Sequence, residues 1–173
     1  LSKYKTNLHL VTRTKNRKNS TFVKHYELNT INFSNLKKIL KKAYPDYIFY
    51  FISPKILRNN NKNINKKLYN LYKFYYVTIF DKILKIIKNF KKKIFIFYPS
   101  TVALNEKNKN FKYSKEYKIT KDLGEKLCKT KKSKKIIPIS YRIDQIKSPQ
   151  NYNIAGFYEG SSIRILKKYI DDF

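Results

Sequence analysis

Hydrophobic positions along the chain switch between two periods, and the switches mark the elements. Residues Leu8–Thr12 (LHLVT) form a short β-prone run that ends at Arg13 and a polar turn rich in Lys and Asn. A second strand candidate covers 21–26 (TFVKHY), followed by Glu27 and Asn29. From Asn32 the spacing becomes helical: Leu36, Ile39, Leu40 and Ala43 share one face, and Pro45 stops the helix. The run 47–52 (YIFYFI) is continuously apolar, as in strands buried on both faces of a parallel sheet. Residues 58–67 are rich in Asn and Lys and read as a loop. A long helical stripe follows through Leu68, Leu71, Tyr72, Tyr75, Ile79, Ile83 and Ile86. IFIFY at 94–98 is the next buried strand, closed by Pro99, Ser100 and Thr101. Beyond a polar loop at 105–112, residues 117–129 are helical and 136–141 (IIPISY) form a strand that Ser148 and Pro149 end. Ser161 is placed to cap a last helix carrying Ile163, Leu166 and Ile170.

The order is β-β-α-β-α-β-α-β-α with apolar strands, which predicts an α/β fold built on a doubly wound parallel sheet. In such sheets ligands bind beyond the C-terminal ends of the strands. Chemistry is therefore expected just after LHLVT, IFIFY and IIPISY. No repeat or composition break divides the 173 residues, so a single domain over 1–173 is expected.

Composition adjusts this picture at few points. Apolar residues make up 42%, with 12 Phe and 16 Tyr, enough for a core despite a net charge of +29. The longest apolar runs are too short to cross a bilayer, and no signal-peptide layout opens the chain, so a cytoplasmic protein is expected. The lone Cys128 excludes an intrachain disulfide and a zinc site built on several thiolates; it reads as a small buried side chain. His9 and His25 are isolated, so no metal site is expected. The charge invites a nucleic-acid reading, because Lys and Arg neutralise phosphates. Arg, the better reader of bases and phosphate forks, occurs only at 13, 17, 58, 142 and 164. The Lys residues are spread through every segment among Asn, Ile, Tyr and Phe, a pattern that AT-rich codons alone produce. No specific nucleic-acid partner is expected, and a basic nucleic-acid-binding protein stays as an alternative. The chain contains no Met, which suggests that it is part of something longer.

Tyr117 and Lys121 stand four apart on a predicted helix and share a face. An ammonium beside a phenol favours the phenolate, which would draw the Tyr117 pKa towards neutrality and make it a general acid or base for a carbonyl/alcohol pair. Ser100, at the end of a buried strand, is placed to donate a hydrogen bond to the same oxygen. The spacing alone carries little, since about three such pairs are expected by chance in so Tyr- and Lys-rich a chain. Its context carries more: buried strand, Ser at the tip, polar loop, then Tyr and Lys on the following helix.

In that context FIFYPSTVAL…EYKITKDLGEKL resembles the strand–Ser–loop–Tyr-x-x-x-Lys block of the short-chain dehydrogenase/reductase superfamily, in its branch of NAD(P)-dependent epimerases, dehydratases and reductases. Glu125, four after the Lys, is part of the likeness. LHLVTRT looks like the second strand of a Rossmann fold, PDYIFYFIS like the fourth, 75–87 like the long fourth helix and IPISYRI like the sixth strand. The resemblance implies that Tyr117 is the catalytic acid/base, that Lys121 binds the nicotinamide ribose and depresses the Tyr117 pKa, and that Ser100 orients the substrate oxygen. Thr101 takes that place if the register is one off. Arg13 falls where the family distinguishes its cofactors, and an Arg suits the 2′-phosphate of NADP more than the ribose of NAD. The implied substrate is a small molecule such as a ketone, or a nucleotide-linked sugar. The helix at 75–87 would help form a homodimer.

The chain departs from the pattern in places. Its three Gly, at 124, 156 and 160, leave no glycine-rich pyrophosphate loop near the N-terminus, which places the first strand and that loop upstream of Leu1. The helical Asn of the family falls at Thr78, and Ile52-Ser53-Pro54 replace the small residues after the fourth strand. Weak dinucleotide binding by this chain follows, and with it the alternative of a non-catalytic Rossmann-like remnant or binding module.

Overall fold

A computed structural model describes residues 7–12, 21–28, 31–57, 63–105 and 113–143. The chain divides into two compact units, Leu1–Pro45 and Asp46–Phe173. Every ladder among the described strands is parallel, as the alternation predicts. The class is mixed α/β.

In the first unit, β1 (Leu8–Thr12) pairs with β2 (Val23–Glu27), running from Leu8 opposite Val23 to Thr12 opposite Glu27. The predicted strand at 21–26 thus starts and ends slightly later. His9 Nδ1 lies 3.1 Å from the Tyr26 hydroxyl. Helix α1 (Phe33–Ala43) begins where the sequence places it, because the Asn32 side chain accepts from the N–H groups of Ser34 and Asn35. It ends at Tyr44, which turns into the left-handed region at φ 40° just before Pro45. Leu36 and Leu40 are its buried residues.

The second unit is built on a three-stranded sheet in the order β3-β4-β5. These strands are Tyr47–Phe49, Ile94–Thr101 and Ile136–Ile143. The central β4 is buried along nearly its whole length and continues through Pro99 to Thr101, three residues past the predicted strand. Pro99 carries no N–H, yet the pairing with β5 continues opposite Tyr141, Arg142 and Ile143. Helix α4 (Lys115–Lys131) packs on β4 and β5. The Ser114 Oγ caps it by accepting the Tyr117 N–H at 3.2 Å.

The long helical stretch is α2 (Lys66–Lys73), a π-helical turn (Phe74–Thr78) and α3 (Ile79–Ile87) in direct succession. Its buried residues are Leu68, Tyr72, Tyr76, Ile79, Phe80, Ile83, Leu84 and Ile87. The predicted stripe through Leu71, Tyr75 and Ile86 is off by one at those three positions: Leu71 is exposed, and Tyr75 and Ile86 are only half-buried. A straight α-helix turns about 100° per residue, so a stripe at 68, 72, 76, 80 and 84 drifts about 40° at each step. The wide π turn takes up part of that drift. Buried phenols bind its carbonyls, the Tyr50 hydroxyl donating to Tyr75 O and the Tyr98 hydroxyl to Tyr76 O. The last predicted helix, capped by Ser161, lies outside the described residues.

Candidate active site at the tip of β4

The C-terminal end of β4 and the first three turns of α4 bring together Ser100, Thr101, Tyr117, Lys121 and Glu125, all buried. Successive strand residues point to opposite faces, so Tyr98 and Ser100 share one face of β4. That face meets α4: a Cβ at Gly124 would fall on the Tyr98 phenol, and Ser100 reaches Glu125. Gly124 is thus a packing glycine that lets the Tyr98 ring cross the helix.

Ser100 donates its hydroxyl to Glu125 Oε1 at 2.6 Å. The same carboxylate takes a two-pronged grip from Arg142 on β5, with Nε at 2.9 Å and Nη2 at 3.0 Å, and Arg142 Nη1 also donates to Asn105 Oδ1. The guanidinium and the Ser100 hydroxyl hold the Glu125 carboxyl below its ordinary range, against a burial effect that acts the other way. The Ser100 hydroxyl is therefore committed to a structural carboxylate.

Thr101 pairs with Tyr117. A side-chain hydrogen bond joins the two, and it favours the phenolate. The Thr101 Oγ1 accepts the Ala103 N–H at 3.2 Å, opening a short 3₁₀ turn at Val102–Leu104. The hydroxyl keeps its proton and a second lone pair for the phenol. The residue one position beyond Ser100 thus meets the ring.

Lys121 follows Tyr117 by one turn, as its spacing predicts, but its ammonium does not act on the phenol. Nζ donates to the Pro99 carbonyl at 2.7 Å. It lies 4.1 Å from the Tyr76 ring centroid, 5.3 Å from that of Tyr98 and 5.9 Å from that of Tyr117. Burial pulls the ammonium down to about 7, with Glu125 opposing the drop. The Tyr117 phenol is pushed well above its ordinary value, because burial among Tyr76, Tyr113 and Tyr72 outweighs the Thr101 hydrogen bond. This runs against the expected lowering by Lys121: in this geometry Tyr117 is a protonated phenol. It packs edge-on against Tyr72 at 5.9 Å and Tyr76 at 5.6 Å. Further out, Tyr72 accepts the Leu57 N–H at 2.7 Å, and Tyr76 meets Ser53 Oγ at 2.6 Å.

Of the residues singled out in the sequence, Ser100, Tyr117 and Lys121 converge within these two elements, whereas Arg13 lies outside the described residues. Sequence reasoning missed Tyr76, Asn105 and Arg142. In the sequence Tyr76 is one of four aromatics at 72, 75, 76 and 80 within the long helical stretch, outside the predicted stripe, and Arg142 is the single Arg at the end of its strand. Cys128 is buried and its thiol is pushed up to about 12 by desolvation, which leaves no reactive thiolate. Among the described residues, no three His, Cys, Asp or Glu side chains group as metal ligands, and no helix is long and apolar enough to cross a membrane.

The donor set fits the nicotinamide end of a dinucleotide. Lys121 uses one of its three N–H donors on Pro99 O, and Tyr117 carries a proton. A pyrophosphate cradle is not on view: Gly124 is filled by Tyr98, and Gly156 and Gly160 lie outside the described residues.

Residues 16–170 match the family of NAD-binding proteins described as Male sterility protein. No curated protein matches the chain in sequence. A short-chain dehydrogenase from Burkholderia cenocepacia J2315, in complex with NADP, superposes with a TM-score of 0.72 at 8% identity, over 92% of this chain and 71% of that one. A GalE-like L-threonine dehydrogenase from Cupriavidus necator, in its holo form, gives 0.57 at 15% identity, over 82% of this chain and 47% of that one. The chain thus spans about half the length of the second protein. Both likenesses show the same Rossmann-like fold.

Proposed function

Because the chain belongs to the NAD-binding family described as Male sterility protein, we propose that it forms the nicotinamide side of an NAD(P)-dependent oxidoreductase of epimerase, dehydratase or reductase type. The observation that carries this reading is the meeting of Thr101, Tyr117 and Lys121 at the C-terminal tip of the central strand, where α/β folds bind ligands. NADP is the cofactor we assign, since a solved protein of the same fold binds it and Arg13 suits a 2′-phosphate. The substrate is a carbonyl or alcohol carried by a small molecule or a nucleotide-linked sugar.

The bound nicotinamide supplies or accepts a hydride. The chain's own residues handle position and proton. Tyr117, held neutral by burial, gives its phenol proton to the oxygen that gains charge as a carbonyl is reduced. Thr101 donates to the phenol oxygen, so the phenolate left behind is stabilised. Lys121 turns its remaining N–H donors to the ribose hydroxyls and brings positive charge to the same place. In this reading Thr101, not Ser100, is the hydroxyl that serves the reaction, because the Ser100 hydroxyl is engaged by Glu125. Glu125 and Arg142 brace the tips of β4 and β5.

The test is NADPH consumption with a panel of ketones, aldehydes and nucleotide sugars. Tyr117→Phe should cut turnover by roughly 10²–10⁴-fold, the usual worth of a general acid, while cofactor binding survives. Undiminished turnover would remove the acid/base role. A second reading, a non-catalytic Rossmann-like module, is favoured by the depth at which Tyr117 and Lys121 lie, each only 6% exposed. It predicts no enhancement of NADPH fluorescence by the chain.

A further inference from the structure

Among the described residues, the Lys121 ammonium donates to the Pro99 carbonyl and is otherwise flanked by the aromatic rings of Tyr76, Tyr98 and Tyr117. The Tyr76 ring is nearest, with Nζ 4.1 Å from its centroid, well inside the reach of a cation–π contact. Tyr76 is 1% exposed and sits in the middle of the π turn. Two contacts fix it there. The Tyr98 hydroxyl donates to its carbonyl at 3.1 Å, and its own hydroxyl pairs with Ser53 Oγ at 2.6 Å. Single π turns inside α-helices recur at functional sites, and here the turn carries the one ring that lies closest to the buried charge.

Resting on the oxidoreductase reading, we propose that Tyr76 is a positioning residue of the reaction: its ring face holds the Lys121 ammonium against the Pro99 carbonyl, beside Tyr117, and favours the charged form of that side chain. An ammonium in a dry site keeps its proton only if something offsets desolvation. Among the described residues, few groups face it. Tyr117, Glu125 and Cys128 come from its own helix, Tyr98 from β4 and Tyr76 from the π turn. Tyr72 of α2 reaches only the Tyr117 ring, and Arg142 of β5 acts through Glu125. Glu125 is already bound by Ser100 and Arg142, which leaves the Pro99 carbonyl and the ring faces as the negative potential in contact with the ammonium, the Tyr76 face foremost among the rings.

The test replaces Tyr76 with Phe and then with phenylalanines carrying one, three and five ring fluorines. These keep the shape of the side chain, so the fold survives, while fluorine drains the negative face of the ring. The titration of Lys121 is followed by NMR of lysine labelled with ¹³C at Cε, assigned by its loss in Lys121→Met. The expected result is a stepwise fall of the Lys121 midpoint with fluorine count, reaching about one pH unit, or a tenfold weaker hold on the proton, across the series. A purely structural ring would not produce that gradient. Midpoints that coincide across the series overturn the proposal, as does a change confined to the Tyr-to-Phe step, which would assign the effect to the Ser53 hydroxyl pair. The readout needs no turnover. If the chain neither consumes NADPH nor enhances its fluorescence while the gradient is present, the oxidoreductase reading fails and the hold of Tyr76 on Lys121 stands.

Discussion

Lys121→Met removes a buried charge while keeping most of the apolar stem, and its effect on stability has a pH dependence that the structure fixes. The ammonium is 6% exposed and drops from its ordinary 10.5 to about 7 on folding. At about 1.4 kcal/mol per pH unit, that drop amounts to about 5 kcal/mol of destabilisation when both states are protonated. The sign follows from proton counting. Below pH 7 the folded and unfolded chains both carry the proton, and the whole penalty applies. Between pH 7 and 10.5 the unfolded chain keeps a proton that the folded chain has lost, so wild-type stability rises with pH. Other groups titrate in both proteins and cancel in the difference. Urea unfolding of wild type and Lys121→Met at pH 6, 7, 8 and 9 should therefore show wild type gaining on the variant by about 1.4 kcal/mol per unit above 7, so that the gap has moved by roughly 3 kcal/mol at pH 9. The lost hydrogen bond to Pro99 O and the lost ring contacts shift the whole curve, not its slope. A difference that stays flat from pH 6 to 9 would mean that Lys121 titrates as an ordinary lysine and is not buried as described.

Two further substitutions separate parts of the site. Thr101→Val removes the donor to Tyr117 and should lower turnover by roughly 10²–10³-fold, as loss of one preorganised donor does. Ser100→Ala should leave turnover within a few-fold and instead cost stability by about 1–2 kcal/mol, because it takes a hydrogen bond from Glu125; the reverse ranking would restore Ser100 as the reacting hydroxyl. Gly124→Ala would stabilise an open helix by about 1 kcal/mol. Here the added Cβ meets the Tyr98 phenol, so denaturant unfolding should show a net loss of roughly 1–2 kcal/mol, and a gain would contradict the close crossing of Tyr98 over α4.

What was legible in the sequence were signals with local causes. Asn32 and Pro45 bracket α1 because an Asn side chain caps N–H groups and a proline restricts the residue before it. The strand at 94–98 was legible from its unbroken apolar run, but its extension to Thr101 was not, since pairing of Pro99 and Ser100 with β5 is a long-range property. The π turn escaped for a related reason. Its extra residue is stabilised by phenols from Tyr50 and Tyr98, far away in the chain, so strict α-helical counting misplaced Leu71, Tyr75 and Ile86.

At the site, the Tyr117–Lys121 pairing on one helix face was legible from their spacing of four. The electrostatics were not. Spacing says that an ammonium and a phenol are near each other. It does not say that the ammonium will reach back to the Pro99 carbonyl, or that desolvation will outweigh attraction. The choice between Ser100 and Thr101 was likewise hidden, because it depends on Glu125 and Arg142, which arrive from a helix and from a neighbouring strand.

The central claim is that Lys121 and Tyr117 face the nicotinamide end of a bound dinucleotide. Its most direct measurement is a titration of the full chain with NADP⁺, followed by NMR of the labelled Lys121 Cε and of the ring signals of Tyr117. The account predicts saturable shifts at both residues, with the Lys121 response abolished in Lys121→Met and the Tyr117 response weakened at least tenfold in apparent affinity. Saturable binding that leaves both residues unmoved, or no response at any dinucleotide concentration, would contradict it.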